Sequence, residues 1–208
     1  LVVANREGYA NWAKDESYLF LDAAVRDLID AARTGDLGRA RAILAGSPEA
    51  CNPVFSSSLE PEHLRSGDPH IANDSIPLFC LSEGVFRGTN REGNEGQIAR
   101  ELLEAGADPD LCWQPMEGAV GFNCPAVAEA LLDHGANFVG PAPGEFLAYS
   151  MLFGFTEVCE VLAARGARLD TRFAAAAPGR IDEMKRWRGA DRSLRYDPKL
   201  ADPYANQA

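Results

Sequence analysis

Apolar residues along this chain recur in short blocks of helical period, each closed by a small turn. The clearest blocks are Ile98-Ala99-Arg100-Glu101-Leu102-Leu103, closing at Gly106-Ala107-Asp108, and Val127-Ala128-Glu129-Ala130-Leu131-Leu132, closing at Gly135-Ala136-Asn137. A third runs Val158-Cys159-Glu160-Val161-Leu162-Ala163 to Gly166-Ala167, and a weaker one sets Ala40, Ile43 and Leu44 before Gly46-Ser47. Such spacing gathers the apolar side chains on one stripe of an α-helix. The glycine that follows suits the left-handed residue that commonly stops a helix. Self-similarity at roughly 20 to 50 residues marks stacked units, each burying its apolar face only against its neighbours.

Each block is preceded by another helical stretch, so the unit reads as helix, glycine turn, helix. Residues 27–35 precede a short helix at 36–45, and 115–120 precede the helix that starts near Pro125. Residues 145–153 lead through Gly154 to a helix at 156–165, and 171–177 lead through Gly179 to a last helix at 181–187. Helical character extends back to residue 8, with Trp12, Leu19, Ala23, Leu28 and Ile29 at apolar positions. Pro77, Pro115 and Pro125 suit a first helical turn, where the missing N–H costs nothing. The last helix carries charge where an interior unit carries apolar residues, as the solvated end of an array requires. The expected organisation is a helical extension at 1–26, a repeat domain at 27–188 with insertions near 53–75 and 85–95, and an irregular tail at 189–208. The first insertion, with Ser56-Ser57-Ser58 and Gly67, has the composition of an exposed excursion.

At these residues the chain resembles the ankyrin-repeat family, whose units pair a first helix T-P-L-H-x-A-A-x-x-G with a second ending L-L-x-x-G-A-D. The second half matches best, in Leu102-Leu103-Glu104-Ala105-Gly106-Ala107-Asp108 and Leu131-Leu132-Asp133-His134-Gly135-Ala136-Asn137. The first half survives as Pro77-Leu78, Pro115-Met116, Ala31-Ala32 and Ala175-Ala176. The resemblance implies an all-α solenoid of about five helix-turn-helix repeats that binds a partner rather than transforms a substrate. It departs from the family where the first-helix histidine gives way to Phe79, Glu117, Ala148 and Phe173, which leaves more of the cohesion to apolar packing. The Ala- and Arg-rich, divergent repeats look bacterial in composition.

In ankyrin-like units the turn after the second helix projects as a finger, and fingers and first helices line a concave face. The resemblance therefore puts Trp113 and Phe138 on fingers and Glu117 and Glu145 on first helices, which makes these four the candidate partner-binding residues. The alternative for each aromatic is packing on the adjacent finger. Phe146, Tyr149 and Phe153 stand at helical spacing and are expected in the core.

Charge narrows the partner. Lys and Arg total 20 against 31 Asp and Glu, a formal charge of −11. That balance repels phosphate backbones, so no nucleic-acid partner is expected. It suits a basic protein partner, or simple solubility. No apolar run approaches the roughly 18 residues of a membrane span, and the apolar start at residues 1–4 is too short for a signal-peptide core. The chain begins at Leu1 rather than Met, which leaves an upstream leader open. Cysteines at 51, 80, 112, 124 and 159 form no CxxC pair, and Cys80 and Cys159 fall in apolar helical patterns, so a reducing, cytoplasmic setting is the simplest reading.

Neither GxxxxGK[ST] nor GxGxxG occurs, and no cofactor is expected. His63 and His70 share the first insertion with Glu60, Glu62 and Asp68, a weak metal cluster at most, and no metal site is assigned. His134 belongs to a helix end, where it meets free carbonyls. The function expected is a non-enzymatic protein–protein interaction module. One alternative is an acidic inhibitor or immunity-type protein that occludes a basic enzyme or toxin. Another is an enzyme whose site is built from the insertions around His63, His70 and residues 85–95.

Overall fold

The computed structural model describes residues 23–53, 76–137, 145–167 and 181–185, and among these every regular element is a helix. They are α1 (Ala23–Thr34), α2 (Leu37–Gly46), α3 (Pro77–Arg87), α4 (Glu95–Glu104), α5 (Gln114–Gly121), α6 (Pro125–Asp133), α7 (Glu145–Leu152), α8 (Thr156–Ala164) and the short α9 (Ile181–Lys185). Two 3-10 turns accompany them, Pro48–Cys51 after α2 and Leu111–Trp113 before α5.

Local chemistry sets the ends. The Asp36 carboxylate accepts the Arg39 N–H at 2.9 Å and caps α2. Pro77, Pro115 and Pro125 each lie in a first helical turn. At the other ends a left-handed residue turns the chain back so that the next N–H reaches the carbonyl five residues earlier. Ala107 returns to Leu102 at 3.0 Å, Ala136 to Leu131 at 3.0 Å and Ala167 to Leu162 at 2.9 Å. The first helix of each pair ends alike, with Asp36 returning to Ala31 at 2.9 Å, Cys124 to Ala119 at 2.8 Å and Phe155 to Ser150 at 3.0 Å. Asn123, at φ +53°, fills the left-handed position that glycine takes elsewhere.

The helices pack in two rows. In the first, α1 lies against α3, α3 against α5 and α5 against α7; in the second, α2 lies against α4, α4 against α6 and α6 against α8. Each first-row helix also packs on the second-row helix that follows it, so the buried stripes close on one another. Leu28, Ile29, Leu81, Ile98, Leu102, Val127, Leu131, Val158 and Leu162 are the fully buried centre of that seam.

The middle of the first row is buried on every side. In α3 the whole run from Pro77 to Gly84 is buried, Ser82 and Glu83 included. The Glu83 carboxylate is held by two guanidinium groups, accepting Arg33 Nε at 2.9 Å and pairing with Arg87. A buried charge tolerates such a position only when it is paired. Helix α3 also runs hard against the end of α1, where Thr89 Oγ1 donates to the Arg33 carbonyl at 2.7 Å. Asn94 Nδ2 donates to the Gly35 carbonyl at 2.8 Å beside it.

Side chains from the turns after second-row helices link one pair to the next. Asn52 Nδ2 donates to the Gly106 carbonyl at 2.6 Å while Asn52 Oδ1 accepts the Asp108 N–H at 2.7 Å. One pair further along, Asp110 Oδ1 accepts the Asn137 N–H at 2.8 Å. Asp108 and Asn137 occupy equivalent places after Gly-Ala, so the same N–H is satisfied from the preceding turn in both. Asn52→Ala removes two of these bonds, and about 1 kcal/mol of stability should go with them in urea unfolding. An unchanged midpoint would show that the turns are not coupled.

Several expectations need adjusting. Of the stretch 85–95, residues 85–87 belong to the end of α3 and Glu95 opens α4, which leaves a connection at 88–94. Phe146 is buried and Tyr149 half-buried as their spacing suggests, but Phe153 is 55% exposed. It falls just past the end of α7, where the helical period no longer points it inward. Residues 1–22, 54–75, 138–144, 168–180 and 186–208 lie outside the described residues, and with them most of the extension, the first insertion, the first helix of the last unit and the tail.

Candidate functional site

Among the described residues, three of those singled out in sequence, Trp113, Glu117 and Glu145, stand at or just before the N-terminal ends of first-row helices. Trp113 closes the 3-10 turn before α5, at φ +64° and 37% exposed. A tryptophan in the left-handed region carries a backbone cost of about 1 kcal/mol or more, held here by the turn that includes its N–H bond to the Asp110 carbonyl at 3.0 Å. Glu117 is half-buried in the first turn of the same helix. Glu145 opens α7, the next helix in the row. Phe138 lies outside the described residues, as do His63 and His70.

The opposite ends of these helices carry aromatic side chains that the sequence reading passed over or put in the core. Phe122, at the C-cap of α5, meets Phe86 of α3 with ring centroids 5.0 Å apart and Phe79 edge-on at 5.6 Å. One helix further, Phe153 stands edge-on to Tyr149 at 5.3 Å and stacks on Phe155 at 5.5 Å. Gly121 joins the two groups, because a Cβ at that position would lie only 3.0 Å from Tyr149 Cε1. Phe86 is 63% exposed and Leu152, the residue before Phe153, is 67% exposed. A signal was present: Phe86, Phe122 and Phe153 each stand one or two residues before a left-handed turn residue, at Gly88, Asn123 and Gly154.

A carboxylate links the turns that follow the two aromatic helix ends. Asn123 Nδ2 donates to Glu157 Oε2 at 2.6 Å, which ties the first turn of α8 to the turn beside Phe122. That hydrogen bond, with help from its own backbone N–H, lowers the Glu157 pKa below the ordinary carboxylate value while the side chain stays in solvent. The linkage sign follows: a depressed carboxylate stabilises the fold above its unfolded pKa, and that contribution disappears as pH falls through the folded value. Asn123→Ala should therefore move the Glu157 titration upward, read by NMR of the carboxyl carbon. No movement would place the cause elsewhere.

The thiols are differently placed. Burial pushes Cys124 up to about 11 and raises Cys51 and Cys159 as well. They are buried and free, with Cys159 Sγ 3.2 Å from Ser150 Oγ. Thiols kept protonated in this way act as small core residues rather than nucleophiles. His134 Nδ1 donates to the Ala130 carbonyl at 2.8 Å and closes the end of α6. Among the described residues no group of His, Cys, Asp and Glu is arranged to hold a metal, and no helix is long and apolar enough to cross a membrane. Comparison with protein-family models, with curated proteins and with solved structures gives no match to this chain.

Proposed function

We propose that this chain is an ankyrin-type repeat protein whose task is to bind another protein, without catalysis. The observation that carries this reading is the two-row stack of helix pairs, stitched between successive turns by Asn52 and Asp110. A stack of this kind is a rigid, extended surface, and side chains mounted on rigid elements bind with little ordering cost. Trp113 is the aromatic anchor at the finger end, flanked by Glu117 and Glu145, with Phe138 as the remaining proposed contact. The formal charge of −11 supports a basic partner and, as a second reading, an inhibitor that occludes a basic enzyme or toxin.

The test is affinity capture with the whole chain, followed by binding kinetics on variants. Trp113→Ala should speed dissociation about tenfold, and Glu117→Lys and Glu145→Lys should slow association, more so at low salt. Glu129→Lys, on the exposed side of α6, serves as the control. Equal losses for the control and the test positions would remove the finger-side contact from this reading.

A further inference from the structure

We infer that the aromatic strip at the C-terminal ends of α3, α5 and α7 is a second docking surface, one that takes a short segment of a partner protein with a single lysine or arginine between two large apolar side chains. This deepens the protein-binding reading and rests on it, but it uses the end of the helices opposite to Trp113.

Area and charge choose the occupant. Phe86, Leu152 and Phe153, 63%, 67% and 55% exposed, are the most exposed large apolar side chains among the described residues of the first row. With roughly 200 Å² for a large side chain, they offer about 350 Å² of apolar surface. A stable pairing with a second copy needs about 800 Å² from each partner, so the strip is too small for a self-dimer. It is the size of the functional patches found on monomers. Neighbouring helices lie about 8–10 Å apart, so the strip is roughly 20 Å long, the reach of about six extended residues.

The pattern along it is apolar, anionic, apolar. Phe86 and Phe122 form one pad, and Tyr149, Phe153 and Phe155 form the other. Glu157, two residues after Phe155, is tied to Asn123, the residue after Phe122, and faces solvent. The cations nearest the first pad are engaged within the chain: Arg87 pairs with buried Glu83, and Arg91 Nε donates to the Gly88 carbonyl at 2.8 Å. A basic side chain laid across the strip would meet the Glu157 carboxylate and the faces of the flanking rings together, an arrangement that favours a cation over a neutral residue.

Random peptides displayed on phage, selected on the immobilised whole chain, test this directly. The expected pool carries Lys or Arg between two large apolar residues. A synthetic peptide from it should bind Phe86→Ser, Phe153→Ser and Glu157→Lys at least about tenfold more weakly, while Trp113→Ala leaves it unchanged. The substituted aromatics are exposed, and circular dichroism with urea midpoints confirms that each variant is folded. The inference is overturned by a pool without a basic residue, binding indifferent to the strip variants, a pool lost only in Trp113→Ala, or no enrichment. The third keeps the protein-binding reading and moves all binding to the finger end. A concentration-dependent dimer in sedimentation that Phe153→Ser dissolves would also overturn it, in favour of a second copy as occupant.

Discussion

Leu131→Ala is expected to lower the unfolding free energy by about 2–5 kcal/mol, the range for truncating a fully buried leucine. Leu131 is completely buried in α6, which packs on α4, α5 and α8. A cavity there weakens contacts with both neighbouring pairs, and in a stack each unit depends on those neighbours. Leu132 is only half-buried, so Leu132→Ala should cost about 1–2 kcal/mol. Glu129 faces solvent, and Glu129→Ala should stay within about 0.5 kcal/mol of the wild type. Urea unfolding followed by circular dichroism separates the three. Equal midpoints for Leu131→Ala and the wild type would mean that α6 presents a different face to the core.

The second large effect belongs to Gly84. A Cβ at this position would lie 2.3 Å from the Arg33 carbonyl oxygen and 2.7 Å from its Cα, both backbone atoms at the end of α1. Backbone cannot swing aside as a side chain can, so Gly84→Ala must push α3 away from α1. That disturbs the Arg33–Glu83 pair and the Thr89 bond to the Arg33 carbonyl with it. A loss of about 3 kcal/mol is expected, at the upper end for overpacking. Gly118→Ala is the contrast: its Cβ meets a side chain, the buried Phe79 ring at 2.9 Å, which can turn about its own bonds as backbone cannot. Its cost should be about 1 kcal/mol or less. If the two glycine variants unfold at the same denaturant concentration, the close contact between α1 and α3 is not what makes Gly84 necessary.

The second helices were the most legible part of the chain. The helix expected at 36–45 is found at Leu37–Gly46, the one from Pro125 begins there, and the one expected at 156–165 is found at Thr156–Ala164. Each is defined by short-range chemistry: an apolar stripe in all three, the Asp36 cap at the start of α2, Pro125 at the start of α6, and the left-handed Gly135 and Gly166 after α6 and α8. His134 at the end of α6 and the buried Cys80 and Cys159 follow from the same local logic. The first helices were harder, because their surroundings come from residues far away in the chain. Glu83 reads as a surface charge by position, yet it is buried because Arg33, fifty residues earlier, reaches it.

The candidate surface divides in the same way. Trp113 stands out in sequence by its place after a Gly-Ala-Asp turn; it is exposed, and its left-handed backbone leaves no mark in the sequence. Phe153 was assigned inward by counting a helical period past the point where α7 stops. Phe86 and Phe122 attracted no notice, since neither is informative until α3 and α5 are side by side.

By itself the sequence determined the helical character, the pairing of helices through short turns and the acidic balance, because period, caps and composition act within a few residues or over the whole chain. Only the tertiary structure decided that Glu83 is buried, that Gly84 must lack a side chain and that Glu157 is bonded to Asn123 of the preceding pair. Those outcomes depend on which helix faces each residue across the stack, and packing between distant segments leaves no short-range mark in the chain.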